Sequence, residues 1–147
     1  SSISAIEALS GVPFGDWGTL AAVRALTATI RSCAVTQLGF SGIMLPVVED
    51  ATLAQRALDG RYTLRDLLAF SAVCGTGLET IPLAGDVDTA VLAGIYREVA
   101  TLATALKKPL TARLMPLAGH TVGQKTRFAE LLPAPLAQFF CEARVLA

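Results

Sequence analysis

Four residues that could bind a metal or a polar ligand follow stretches of the sequence that are apolar enough to form buried strands. Glu49 and Asp50 end the first stretch, Asp86 follows the second and His120 follows the third. Because ligand sites of parallel α/β folds gather beyond the carboxyl ends of the strands, we expect these four side chains to converge. Carboxylates in that position favour a polar small-molecule site or a hard-cation site, with Glu49 as a candidate catalytic residue and the other three as candidate ligand-binding residues.

A structural role for two of these residues stays open. Asp50 and Asp86 each precede a segment with helical periodicity, and aspartate is among the preferred residues at a helix N-cap. His120 is the single histidine of the chain, so a histidine in an ordinary loop is the alternative to a metal ligand. The pattern does not identify a metal or a cofactor.

A cysteine beside two glycines forms the second candidate site. Cys74 could act as a nucleophile if its thiol were activated, and Gly75, Thr76 and Gly77 could bring backbone N–H groups close to an anionic ligand. The alternative is a buried cysteine followed by a glycine that stops a helix. The segment from Gly11 to Gly18 has a similar double interpretation: its glycines could bring the backbone close to a ligand, or Phe14 and Trp17 could seal an edge of the core.

Arg113 lies inside the third apolar stretch, where a buried guanidinium needs a partner. A pairing with Glu79 or Asp86 across the sheet would satisfy it. Recognition of a carboxylate or phosphate ligand is the functional alternative, and the sequence leaves both open.

Alternating helices and apolar strands must position these residues. Strands are predicted at 40–48, 78–83 and 110–117, and helices at 3–9, 19–32, 51–58, from a capping box at Thr63 and Asp66 onward, and at 88–107. Helical crossovers between strands imply a parallel sheet, so the predicted fold class is α/β with parallel strands.

Composition limits the function classes. The 147 residues are 53% hydrophobic and 16% charged, with a formal net charge of +0. Such a chain is too apolar for disorder and lacks the basic excess that nucleic acids or anionic membranes attract, and no apolar run is long enough for a membrane span. The low charge and a start at Ser1 favour a piece or subunit of a larger assembly. Three cysteines without a pairing pattern favour a reducing, cytoplasmic compartment.

Several motifs in order resemble an uncharacterised family, the domain of unknown function 711. They are GVPFG at 11–15, GFSGIMLPVVED at 39–50, SAVCGTGLETIPL at 71–83, GD at 85–86 and KPLTARLMP at 108–116. The resemblance covers about residues 3–128. One departure is Ala118-Gly119-His120-Thr121, where the family typically has Pro-Gly followed by two lysines.

The resemblance implies a fold similar to the α/β barrel of pyruvate formate-lyase, a homodimer and no established reaction. It also implies that residues 1–128 are the C-terminal portion of a longer barrel and that 129–147 are a divergent tail, which we predict to be helical. The leading hypothesis is therefore a segment of a cytoplasmic α/β barrel with a small-molecule or metal site at the strand ends. The alternative is a structural or interaction subunit that completes a barrel with the missing N-terminal part or a partner chain, without catalysis of its own.

Overall fold

Five helices surround a small parallel sheet in the computed structural model, which describes residues 1–126 and 143–146. The elements are α1 Ser2–Ser10, α2 Thr19–Ser32, α3 Ala51–Leu58, α4 Leu64–Ser71, β1 Gly77–Ala84, α5 Thr89–Leu106 and β2 Thr111–Leu117. The fold is thus mixed α/β.

The sheet pairs β1 with β2 in parallel, and α5 is the crossover that joins them. This confirms the predicted parallel pairing of the second and third strands. The opposite edge of β1 carries two single bridges, one to Pro46 near its start and one to Leu146 near its end. Because β2 covers one edge, the segments at Pro46 and Leu146 cover the other and α4 packs against the strand, all eight residues of β1 are buried.

The strand predicted at 40–48 is wrong except at Pro46. Gly39 and Gly42 adopt positive φ angles of 69° and 134°, which break an extended run. Residues 47–49 form a turn, although the Val47 amide still donates to the Glu79 carbonyl at 3.1 Å. An apolar run of strand length therefore serves here as a packed loop, because its glycines and proline prevent a continuous ladder.

The helix boundaries follow local signals. The predicted ranges for α2 and α3 agree with the structure, and the capping box of Thr63 and Asp66 is formed at the start of α4. The alternative role of Asp86 as a helix cap is wrong, because the chain turns after β1 and Asp88 caps α5 by accepting the Ala90 amide at 2.8 Å.

Aromatic packing organises the core between the helices. Phe14 has no exposed surface, and its ring meets Tyr62 and Phe70 edge-on with centroid distances of 5.5 and 5.1 Å. The prediction that this loop seals the core is confirmed for Phe14. Trp17 instead is 99% exposed, so it seals nothing in this chain.

Most of the predicted tail helix lies outside the described residues. The four described residues of the tail, 143–146, are extended, and the Leu146 amide donates to the Pro82 carbonyl at 2.9 Å. None of the helices in the described residues combines the length and the apolar character that crossing a membrane requires.

Candidate functional site

The carboxyl edge of the sheet brings two of the candidate residues onto adjacent turns. The amide of Gly85 donates to the carbonyl of His120 at 3.0 Å, so the turn after β1 touches the turn after β2. Asp86 is exposed and His120 is half-buried. A Cβ added at Gly85 would collide with the Leu117 carbonyl, which explains a glycine at this crossing. The imidazole of His120 lies 3.2 Å from the Ala118 carbonyl rather than against Asp86, so the two side chains form an open rim and not a closed site.

The Cys74–Gly77 segment lies at the other end of β1. Cys74, Gly75 and Thr76 precede the strand and Gly77 is its first residue, so the eight residues of β1 separate the segment from Asp86 by roughly 20 Å. The expected single rim therefore does not form, because a loop that enters a strand and a loop that leaves it lie at opposite ends. Roles of Cys74, Gly75, Thr76 and Gly77 at a site shared with Asp86 and His120 have no geometric support.

Close backbone packing explains the two glycines of this segment. A Cβ on Gly75 would lie 2.7 Å from the carbonyl carbon of Gly42, and one on Gly77 would collide with the backbone of Thr111. Cys74 is completely buried, with its sulfur 4.0 Å from the Gly77 carbonyl oxygen. A nucleophile must reach its substrate, and this thiol is closed off by its own loop, so a catalytic role for Cys74 stays a hypothesis.

Lys108 makes a long-range contact at the Cys74 segment that the sequence did not indicate. Its ammonium donates to the carbonyls of Ser71 and Cys74 at 2.7 and 2.6 Å, which satisfies the carboxyl end of α4. Burial lowers the pKa of Lys108, and the neighbouring Cys74 opposes that shift only in part. No local signal could reveal a contact across more than thirty residues. Two lysines at the end of α5 are equally well explained by the favourable interaction of positive charges with the carboxyl end of a helix.

Asp50 is a structural residue of both α1 and α3. One carboxylate oxygen accepts the Ser1 hydroxyl at 2.6 Å and the amides of Thr52 and Leu53 at 3.0 and 3.1 Å, and the other accepts the Ser2 amide at 3.0 Å. Burial pushes the pKa of Asp50 upward, but these hydrogen bonds outweigh it and hold the pKa below its usual value. The predicted cap of α3 is confirmed, and both oxygens are already engaged by protein donors.

Arg113 joins two carboxylates from different parts of the chain. Its guanidinium bonds Glu79 at 2.9 Å and lies 3.5 Å from the carboxylate of Glu49. Glu79 is almost fully buried, whereas Arg113 is 55% exposed because β2 lies at the edge of the sheet. Of the pairings left open by the sequence, the one with Glu79 is confirmed. Two carboxylates and one guanidinium leave one net negative charge, which disfavours recognition of an anionic ligand by Arg113.

A β-bulge underlies this cluster. Leu78 pairs with Ala112 and Ile81 with Leu114, so Glu79 and Thr80 together oppose Arg113. Thr80 has a φ of 46°, which is costly for a β-branched residue, and its buried hydroxyl has no hydrogen-bond partner among residues 1–126 and 143–146. Glu49 is held here through Arg113, and its catalytic role stays a prediction. No group of three or more metal-ligating side chains occurs within residues 1–126 and 143–146.

Comparison with known proteins connects the chain to a family without an assigned reaction. The UPF0210 protein of Pyrobaculum aerophilum is 39% identical over 127 residues, which is 83% of this chain and 28% of that protein. The UPF0210 protein of Methanosarcina acetivorans is 31% identical over 153 residues, or 98% of this chain and 33% of that protein. The chain thus spans about a third of the length of the curated relatives it matches. No solved structure matches it.

The family profile gives the same assignment. Residues 1–130 match the family described as Uncharacterised ACR (DUF711), which covers every motif on which the sequence resemblance rests. That resemblance is confirmed at the level of the family. Since the match spans nearly the whole chain, this protein belongs to the DUF711 (UPF0210) family.

Proposed function

We propose that this chain is an interaction segment of a larger α/β barrel, completed by other polypeptide of the same family, either a further segment or a second copy. The observation that carries the proposal is the surface formed by the outer side of α5 and the open edge of β2, which we call the α5–β2 face. The chain matches about a third of each relative, which supports the proposal, because the remaining part of each relative could supply the polypeptide that completes the barrel. The exposed free thiol of Cys33 supports a cytoplasmic location.

The outer side of α5 has the composition of a contact surface. Twelve of the eighteen residues of α5 are exposed, and Arg97 and Glu98 are the charged ones among them. Glu98 lies on the side that faces α4, so Arg97 is the charged residue on the side of Ala93 and Ala100. The centre of that side consists of small residues such as Ala93 and Ala100, with Tyr96 half-exposed at the margin. A water-facing helix normally carries many more charges on that side, so we infer that another polypeptide covers it.

The edge of β2 supports the same proposal. Within the described residues β2 pairs with β1 alone, and of its seven residues Leu117 is the buried one. Ala112, Leu114 and Met115 are apolar but only half-covered. A parallel strand with an unpaired row of backbone N–H and C=O groups is a template for a further parallel strand. A neighbouring βα unit would cover the strand edge and the helix together.

The double variant Ala93→Glu/Ala100→Glu tests this face. The unmodified chain is expected to self-associate through it, and two charges at its centre should weaken that association by roughly a hundredfold or more, because charges without partners in an interface cost several kcal/mol. Light scattering coupled to size-exclusion chromatography over a concentration series measures the effect. Glutamate is a good helix former, so the helical circular dichroism should stay unchanged.

The variant Ala21→Glu/Ala25→Glu is the matched control, since it adds the same two charges to exposed positions of α2. It should leave the association unchanged. An unmodified chain that remains monomeric and stable at every concentration would count against the proposal, and so would equal effects of the control and the double variant.

A second candidate function is binding of a small polar ligand or a divalent cation at the carboxyl edge of the sheet. It is favoured by the Gly85–His120 bond, which sets Asp86 and His120 on touching turns. A ligand present at a hundred times its dissociation constant should stabilise the fold by about 2.7 kcal/mol. A thermal-shift series with divalent metal salts and polar metabolites measures this. A stabilisation that survives both Asp86→Asn and His120→Gln would exclude these residues.

A further inference from the structure

An apolar pocket lies between α4, β1 and α5. Its volume is about 260 Å³. Leu64 and Leu68 of α4 form one wall, Val91 and Ile95 of α5 form the other, and Leu78 of β1 forms the floor. Water inside would find few hydrogen-bond partners on such walls, so an apolar group of a ligand would enter without displacing well-bound water.

Two side chains of opposite charge are among the residues that line the pocket. Arg65 on α4 and Glu98 on α5 both line it and are both exposed. They form no ion pair with each other, and neither has an ion-pair partner in the part of the chain that the structure describes. A guanidinium and a carboxylate beside an apolar pocket complement a molecule that carries both charges next to an apolar group.

Gly94 leaves the space open from the α5 side. It lies inside the helix, where glycine costs up to about 1 kcal/mol relative to alanine. Among the described residues, no atom would lie within 4 Å of a Cβ added there, so no close packing in that part of the chain requires a glycine. A glycine at position 94 is explained if a ligand occupies the pocket beside it.

We propose that this pocket binds a free apolar α-amino acid such as leucine. The side chain lies over Leu78, the carboxylate pairs with Arg65 and the ammonium pairs with Glu98. This inference is independent of the proposed interaction role, because the α5–β2 face lies around Ala93 and Ala100 and the pocket lies on the side of α5 that faces α4. A second cavity shares Arg65, Leu68 and Glu98 and continues along α5 to Ala105, which gives longer side chains room.

Calorimetric titration of the full chain with leucine, leucinamide and 4-methylpentanoate tests the contacts of the carboxylate and of the ammonium separately. Leucinamide lacks the carboxylate and 4-methylpentanoate lacks the ammonium, so each should bind about tenfold or more weakly than leucine. Arg65→Met should weaken binding of leucine but not of leucinamide. Glu98→Gln should weaken binding of leucine but not of 4-methylpentanoate.

Gly94→Leu and Gly94→Ala separate filling of the pocket from a change in helix stability. Both should raise the thermal stability of the unliganded chain, because both residues favour a helix more than glycine does. Only Gly94→Leu should abolish leucine binding. If leucine does not bind, or binds Gly94→Leu as well as Gly94→Ala, the proposal is wrong. If neither the unmodified chain nor Gly94→Leu binds leucine, but Gly94→Leu changes the oligomeric state, the occupant of the pocket is a polypeptide and the proposal is equally wrong. Should Gly94→Leu fail to fold, the Arg65 and Glu98 variants decide alone.

Discussion

Replacing Phe14 by alanine should lower the free energy of unfolding by about 4 kcal/mol, the range for an aromatic residue truncated in a core. Phe14 has no exposed surface, and it makes edge-on contacts with Tyr62 and Phe70. The two remaining rings come from α4 and the loop before it. Neighbouring groups relax only partly into a cavity left in a core, so most of the lost contact area would not be recovered. Urea unfolding monitored by circular dichroism measures the loss.

Trp17→Ala is the control for that experiment. Trp17 lies three residues further along the same loop and is 99% exposed, so its truncation should change the unfolding free energy by less than about 0.5 kcal/mol. Equal losses for the two variants would show that the loop, not the Phe14 ring, carries the stabilisation. The Phe14 amide donates to Glu7 at 2.8 Å and keeps that bond in the alanine variant, which isolates the ring as the variable.

Local signals predicted the helices well. Thr63 and Asp66 form the reciprocal bonds that their spacing indicates, and Asp50 caps the helix that follows it. Such bonds span three residues or fewer, so the sequence contains all the information that determines them. The two long apolar runs at 78–83 and 110–117 also became parallel strands, because a helix of fixed length between them leaves few other topologies.

The parts of the fold that could not be predicted from the sequence depend on contacts between distant residues. The run at 40–48 has the apolar character of a strand, yet Gly42 is pressed against Gly75, and that packing has no local signature. Lys108 reaches α4 rather than the end of α5 for the same reason. Arg113 was expected inside the sheet, but a strand's position at a centre or an edge depends on the whole topology and not on its own residues.

The candidate residues divide between the two ends of β1, and only part of this division could be predicted from the sequence. The rule on carboxyl ends correctly placed Asp86 and His120 on touching turns. It does not extend to Cys74, which precedes β1 and therefore belongs to the amino end. Chain direction alone separates the two groups. The pocket between α4 and α5 needed three elements at once, so no single motif could indicate Arg65 or Glu98.

Replacing Asp50 by alanine should lower the free energy of unfolding by about 3 kcal/mol, more than the usual loss for a helix cap, because this carboxylate serves two helices. It accepts bonds from Ser1 and Ser2 at the start of α1 and from Thr52 and Leu53 at the start of α3. The loss would leave donors without this acceptor at two places that are forty-eight residues apart in the sequence, and the Leu53 amide among them is buried. Thermal unfolding at neutral pH measures it. Asp88→Ala, which removes an exposed cap with a single bond to Ala90, should cost about 1 kcal/mol.

The dependence on pH separates the charge of Asp50 from its shape. Hydrogen bonds hold the pKa of the folded-state carboxyl below its usual value despite burial, so its contribution is complete above the pKa of the unfolded chain and is lost as the pH falls through the folded value. That window lies below about pH 4. Asp50→Asn keeps one cap acceptor and no charge; its deficit against the unmodified chain should be largest at neutral pH and shrink toward pH 3. A deficit that stays constant with pH would mean that geometry alone, and not ionisation, ties α1 to α3.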